Sequence, residues 1–481
     1  MSPRLAALVL FCLGVAPAAP RLASRVAPPA PLRVYSLRAD ALARAKRRLA
    51  SGDSTLRPAY DRLAREAAAA LAAGPFSVMD KQRTPPSGDK HDYVSMGPYW
   101  WPDSTKPDGL PYIRRDGERN PEIRRDYDAP RLGALTSDVA TLALAYYFSD
   151  DEKYAARATQ LLRVWFLDPA TRMNPNLRYG QRVPGITEGR SAGIIETRSF
   201  VGLVDAIGML ERSPDWRDTD GQGMRVWMSA YLEWLRTSDI GKQERGAHNN
   251  HGTWYDAQVA ALALFTGDTA LARTTLEASK AKRIAAQVKL DGSQPFELAR
   301  TRALAYSAMN LEGLCRLAEL GRQVGVDLWS YASPDGGSIR KALDYVAPYV
   351  DGATRCPGSK SRRSSRIGRC CCSSAPASRT GRRATAPCCG RFRETWSFRI
   401  GRGCSTRIPT PRRSDHAVTV RVGLDRAAVR TPPRRRGRLH PHRPPAPPAT
   451  PPCPARSGTP RGASTGRSRL EPSRSGYACR W

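Results

Sequence analysis

Two stretches of this chain repeat one plan: an apolar helical run, a polar three-residue turn and a second helical run. That repetition restricts the fold more than any single residue does. Leu135 to Phe148 and Glu152 to Phe166 flank Ser149-Asp150-Asp151, and Trp254 to Phe265 and Ala270 to Val288 flank Thr266-Gly267-Asp268. Between the two hairpins, Ile194 to Leu210 and Met224 to Leu235 have the same helical spacing. Ala303 to Leu320 and Ile339 to Val350 follow, and Asp40 to Leu49 and an Ala-rich Pro58 to Leu71 precede. No stretch alternates with the period of two that a half-buried strand requires. Paired helices that bury one face each stack with their inner faces lining a cleft, so the pattern predicts an all-α fold of α/α type.

Two long segments interrupt the helices. Residues 80–130 are rich in Pro, Gly, Asp and aromatics, far longer than an ordinary connection and too aromatic for disorder. Within them Tyr99-Trp100-Trp101 offers faces on which sugar rings stack, or pins the loop to the core; the two roles are compatible. Arg114, Arg115 and Arg119 follow, in the form that grips carboxylates bidentately or simply sits solvated. Residues 174–193 form the second long polar connection and contain Gln181.

The chemistry concentrates in Ala247-His248-Asn249-Asn250-His251-Gly252-Thr253-Trp254-Tyr255, which holds two of the three histidines before residue 356. Imidazole moves protons near neutral pH, and Asn amides donate to a carboxylate without competing for protons. The same residues could cap a helix, or place His248 and His251 on one face for a metal, although no HExxH or CxxC companion accompanies them. A second segment, Gln294 to Tyr306, puts Arg300, Arg302 and a tyrosine within about two helical turns. Arg302 and Tyr306, four apart, would share a face, and a guanidinium there would lower the phenol's proton affinity; a surface arginine beside a half-buried tyrosine is the plainer alternative. Glu188 and Glu196 could instead form a carboxylate pair for glycoside hydrolysis.

Together with His91-Asp92-Tyr93 and Met96-Gly97-Pro98-Tyr99-Trp100-Trp101-Pro102, the Asn249-Asn250-His251-Gly252 segment resembles the alginate lyase superfamily of polysaccharide lyases. The resemblance spans about residues 85–355. It implies an incomplete α/α toroid and a catalytic set of Asn250, His251, Tyr306 and either Arg300 or Arg302, between which spacing does not choose. It also implies substrate-binding positions at Gln181 and Arg198, beside Tyr99, Trp100, Trp101, His248 and Asn249. The reaction implied is β-elimination in a 1,4-linked polyuronate, alginate first and glucuronan second, with no metal and no cofactor. The partner expected is an acidic polysaccharide, with no specific nucleic acid and no membrane after signal cleavage; the sequence does not settle the oligomeric state, for which a monomer is the working expectation. An α/α glycoside hydrolase and a non-catalytic polyanion-binding protein are the rival readings.

The ends differ from this body. Residues 1–19 run from Met-Ser-Pro-Arg through the apolar Leu5 to Val15 to Ala16-Pro17-Ala18-Ala19, the form of a secretory signal cleaved near Ala19. That predicts a secreted or periplasmic protein, with an uncleaved anchor as the alternative. Residues 20–355 form the expected domain; only Cys315 there is a cysteine, consistent with export without disulfides. The formal net charge of +33 misleads, because residues 356–481 hold 29 of the 77 basic residues but 4 of the 44 acidic ones. This Arg-, Pro- and Cys-rich tail, with 9 of the 11 cysteines, reads as the product of a shifted frame in a GC-rich gene near residue 355, rather than as a basic arm for nucleic acid.

Overall fold

The computed structural model describes residues 32–349, so the signal peptide, the tail and the frameshift expected for this chain lie outside the described residues. Twelve α-helices carry the described part: α1 Ala39–Ala50, α2 Arg57–Leu71, α3 Ala129–Ser149, α4 Glu152–Leu162, α5 Phe200–Leu210, α6 Asp218–Thr237, α7 Asp239–Arg245, α8 Asn250–Thr266, α9 Thr269–Ser279, α10 Pro295–Leu298, α11 Ala303–Arg322 and α12 Ile339–Val346. They form the α/α toroid that the hairpin repetition and the resemblance predict.

Helix α8 lies at the centre, because it is apolar on every side. All its residues from Asn250 to Phe265 except His251 are buried, against α5, α6, α9 and α11. Asn249 caps its start by accepting the His251 N–H, and Gly267 ends it at φ 95°, a left-handed conformation that glycine adopts without strain. In the other hairpin Asp150 takes the left-handed turn (φ 56°) and Asp151 caps α4. Helix α3 begins six residues before Leu135, because Pro130 starts a helix well in its first turn.

The second arms of both hairpins end differently from the continuous helices expected. Each widens into a π-helical turn, Arg163–Leu167 after α4 and Lys280–Ala285 after α9. Each turn aims an arginine at a carboxylate of the neighbouring helix: Arg163 meets Asp220 at 2.6 Å and Arg283 meets Asp256 at 2.7 Å. Such bulges re-aim a side chain without ending a helix, and single residues do not announce them. Ile194 to Leu210 likewise splits into a 3₁₀ stretch, Ser191–Thr197, and α5.

The long segments carry four short strands that the sequence did not predict. β1 (Val94–Met96) pairs in parallel with β4 (Tyr179–Arg182), and β2 (Trp100–Trp101) pairs antiparallel with β3 (Ile113–Arg114). A buried ion pair anchors this layer to the helices. Lys81 lies 3.2 Å from Asp128, with both side chains fully buried, and its ammonium also donates to the carbonyls of Val78 and Lys90. The same Asp128 oxygen, Oδ2, accepts the Val94 N–H, which fixes β1 at the start of α3. Removing one partner of such a pair costs about 3–5 kcal/mol, since the other is left charged in a dry site. No described helix is long and apolar enough to cross a membrane.

Candidate active site

The start of α8 supplies the histidine. Nδ1 of His251 lies 2.6 Å from Oε1 of Glu244, which is buried at the end of α7. The carboxylate accepts the Nδ1 proton, which leaves the Nε2 lone pair open on a ring that is 21% exposed. The turn between α7 and α8 is fastened by Arg283, whose guanidinium donates to the carbonyls of Arg245 and Ala247 while paired with Asp256. Gly252 makes that possible, because a Cβ there would lie 2.1 Å from the Ala247 carbonyl and 2.2 Å from the Arg283 guanidinium.

Asn250 is fully buried. Its backbone N–H and its Nδ2 donate to Glu297 of α10, Nδ2 at 3.0 and 2.9 Å to the two carboxylate oxygens, while its Oδ1 has no partner. The amide expected to meet a substrate carboxylate therefore already holds one belonging to the protein. Burial pushes the Glu297 carboxyl up, against the opposing pull of Asn250, His251 and Arg300. Behind it Thr253, Gln287, Asn310 and Gln294 form a buried network, with Asn310 donating at 2.8 Å to both glutamine carbonyls. These buried hydrogen bonds tie the start of α8 to α11, although Asn310 Oδ1 has no partner.

Three residues beyond Glu297, Arg300 is the one of the two arginines whose side chain contacts Tyr306. Its Nη2 donates to the Tyr306 hydroxyl at 3.0 Å and to Asp116 at 2.8 Å, and its guanidinium lies 4.1 Å from the centre of the Tyr306 ring. No described residue hydrogen-bonds its Nη1, which is not buried. Arg302 instead precedes α11, and its carbonyl accepts the Tyr306 N–H. The expected lowering of the phenol is overturned. Burial, reinforced by the Tyr99 hydroxyl at 2.5 Å, raises Tyr306 well above a free tyrosine despite Arg300. Tyr99, read as part of a sugar-stacking wall, thus touches the candidate acid directly. Asp116 behaves in the opposite way: burial would raise it, but hydrogen bonds from Arg300 and Thr301 prevail and hold it below the usual carboxylate range.

The β1–β4 layer forms the remaining wall. Gln181 adopts φ 48°, uncommon for a residue with a side chain, and its N–H donates to Ser95 Oγ. Arg190 donates to the Gln181 side-chain and backbone oxygens at 2.7 and 3.1 Å, and its guanidinium lies 5.8 Å from the Trp100 ring. Arg115 lies similarly over Trp101 at 5.3 Å, so each indole expected to stack on sugar carries an arginine. Glu196 accepts from Tyr93 and Ser95, and burial pushes its carboxyl up to about 7. Glu188 is exposed and paired with Arg182 at 3.0 Å. Of the carboxylate pair read as a hydrolase's acid and base, one is thus fastened inside the wall and the other is ion-paired at the surface. Arg198 ends the 3₁₀ stretch, with its guanidinium donating to Ile195 O. His248 is exposed and lies against Phe296, with ring centres 6.4 Å apart. Asn249 serves as the cap described above.

Four residues without an assigned role in the sequence complete the arrangement: Glu244, Glu297, Asp116 and Arg190. Glu297 and Asp116 lie inside segments already marked by their arginines. Glu244 sits on a short, mostly polar helix with no apolar period to reveal it.

The family model for alginate lyases matches residues 77–355. Among solved structures, the chain is similar to an alginate lyase from Bacteroides ovatus, with 46% identity over 66% of this chain and 84% of that one, at a TM-score of 0.64. It is more distantly similar to an alginate lyase from a Sphingomonas species, with 18% identity over 63% of this chain and 75% of that one, at a TM-score of 0.41. No curated protein matches the sequence.

Proposed function

The chain belongs to the alginate lyase family, and from that premise we propose that it cleaves a 1,4-linked polyuronate, alginate first and glucuronan second, by β-elimination. One observation supports this most: Arg300 holds the Tyr306 phenol while keeping Nη1 open. A guanidinium so placed neutralises a uronate carboxylate and makes the C5 proton acidic enough to remove. Asn250 is second in this role, because Glu297 occupies its amide.

The C5–H bond then breaks, its electron pair forms the C4–C5 double bond, and the C4–O4 bond breaks as O4 takes a proton. Tyr306, which rests as a phenol, supplies that proton. Where the C5 proton lies on the face opposite O4, as in guluronate, Nε2 of His251 removes it, with Glu244 steadying the imidazolium. Where both lie on one face, as in mannuronate, a Tyr306 that has first given its proton to solvent takes the C5 proton and passes it to O4, with Arg300 donating to the phenolate oxygen against the burial that favours the phenol. The leader read in residues 1–19 would put this activity outside the cytoplasm.

The test is incubation with polymannuronate, polyguluronate and glucuronan while following the ultraviolet absorbance of the unsaturated uronate. A rise abolished in Tyr306→Phe, and abolished on polyguluronate in His251→Ala, is the expected result. New reducing ends without that absorbance would mean hydrolysis and overturn the proposal.

A further inference from the structure

Arg190 is a half-buried cation that no carboxylate among the described residues pairs. Among the described residues its hydrogen bonds go only to the neutral Gln181, and its Nη1 has no partner and is not buried. The surroundings are built to keep it there. Gly97 leaves room: a Cβ at that position would lie 2.6 Å from the Trp100 ring and 3.1 Å from the Arg190 guanidinium. Gly189 has none to spare either, since its Cβ would lie 1.9 Å from the Arg178 carbonyl, so the loop is folded tightly just before the arginine. Gln181, which accepts both hydrogen bonds, holds an uncommon left-handed conformation, and backbone strain of that kind persists where surrounding structure enforces it.

Its contact with Trp100, next in the chain to Tyr99, connects it to the candidate site. Burial, and then the charge of Arg114, pull the Arg190 guanidinium down to about 10, while Glu196 and Glu244 act the other way. Glu244 is the residue that holds His251, and Trp100 adjoins Tyr99, which touches Tyr306. A guanidinium beside an indole face and near a second arginine, with a free donor, is a receptor for an anion.

Resting on the polyuronate reading, we propose that Arg190 binds the carboxylate of a uronate residue next to the one that reacts, so that the enzyme requires a second acidic sugar beside the cleavage point. Gln181 is its positioning residue, and Trp100 supplies the face beneath it.

The experiment uses the full chain carrying Tyr306→Phe, so that oligosaccharides bind without turnover, and calorimetry with a uronate tetrasaccharide and its carboxyl-reduced counterpart. The tetrasaccharide is expected to bind more tightly than the reduced form. Adding Arg190→Gln should shrink that preference by about tenfold or more, the loss of one charge-assisted bidentate contact. Arg190→Lys should recover part of it, since charge returns without the planar fork. An unchanged preference in a folded Arg190→Gln protein overturns the inference while leaving the polyuronate reading intact. If Arg190→Gln does not fold, a full preference in Arg190→Lys overturns it equally. Failure of the Tyr306→Phe chain to prefer the acidic sugar at all instead sinks the reading beneath it.

Discussion

The two sides of the site are built by different means. His251 and Asn250 stand at the start of α8 and are held by carboxylates, Glu244 and Glu297, that lie seven and 47 residues away on short helices. Arg300 and Tyr306 are held by Asp116 and Tyr99, which lie 184 and 207 residues away on the long irregular segment. The helical side is set by local folding and a buried network, whereas the tyrosine side is complete only when a distant loop is seated. The difference teaches that the proton-transferring groups depend on separate parts of the fold, and substitutions can test the two separately.

The largest effect should come from the tyrosine itself. Tyr306→Phe removes the group that protonates O4, and elimination is expected to fall about a thousandfold in kcat on every polymer, as loss of a general acid does. The helical side should depend on the substrate. Glu244→Ala leaves the His251 ring without its orienting acceptor, and about a tenfold to hundredfold loss is expected on polyguluronate, the usual scale for removing an orienting carboxylate. On polymannuronate, where Tyr306 acts on one face, the same variant should be nearly unchanged. Equal losses on both polymers would show that the two sides do not divide the work in this way.

The contrast between the sides also explains what the sequence revealed. Helices were legible because α3, α8 and α11 carry long apolar runs that only burial satisfies, and the histidine segment was legible because its residue types are rare in this chain. The partners were not. Glu244 belongs to a seven-residue helix of mostly polar composition, and α7 itself went unpredicted. Tyr99 was visible as an aromatic, but only the folded loop brings its hydroxyl to Tyr306. Spacing left Arg300 and Arg302 both open, and because the residues before α11 form turns it is Arg300 that reaches the phenol. The direction of the phenol's shift failed for a related reason, since spacing displays the nearby charge but not the burial that outweighs it.

A smaller effect isolates the loop's contribution. Tyr99→Phe leaves the aromatic face in place and removes the hydroxyl that helps raise Tyr306, so about a tenfold fall in kcat is expected, the scale of one lost hydrogen bond to an ionising group. The sign of the accompanying pH change follows from the same contact. With Tyr99 gone the Tyr306 phenol titrates lower, and the alkaline limb of the rate profile should move to lower pH. A limb that stays in place would mean that burial alone sets Tyr306, and that the loop only covers the site.

The smallest effects concern stability, where the carboxylates behind the two sides should act in opposite directions. Burial raises Glu297 above its ordinary 4.5, so the folded chain holds that proton longer than the unfolded one, and stability should decline as pH rises from about 4.5 toward the raised value. Asp116 is lowered by Arg300 and Thr301 despite burial, so its contribution is present above about 3.8 and is lost as pH falls through the lowered value. Denaturant titrations across pH separate them. Glu297→Gln should flatten the decline above pH 4.5, because its neutral amide needs no proton, whereas Asp116→Asn should lower stability at neutral pH and flatten the loss in acid. If both substitutions change the same limb, the carboxylates do not differ as their surroundings require. The helical side would then owe its rigidity to the amide network of Gln287, Asn310 and Gln294 alone.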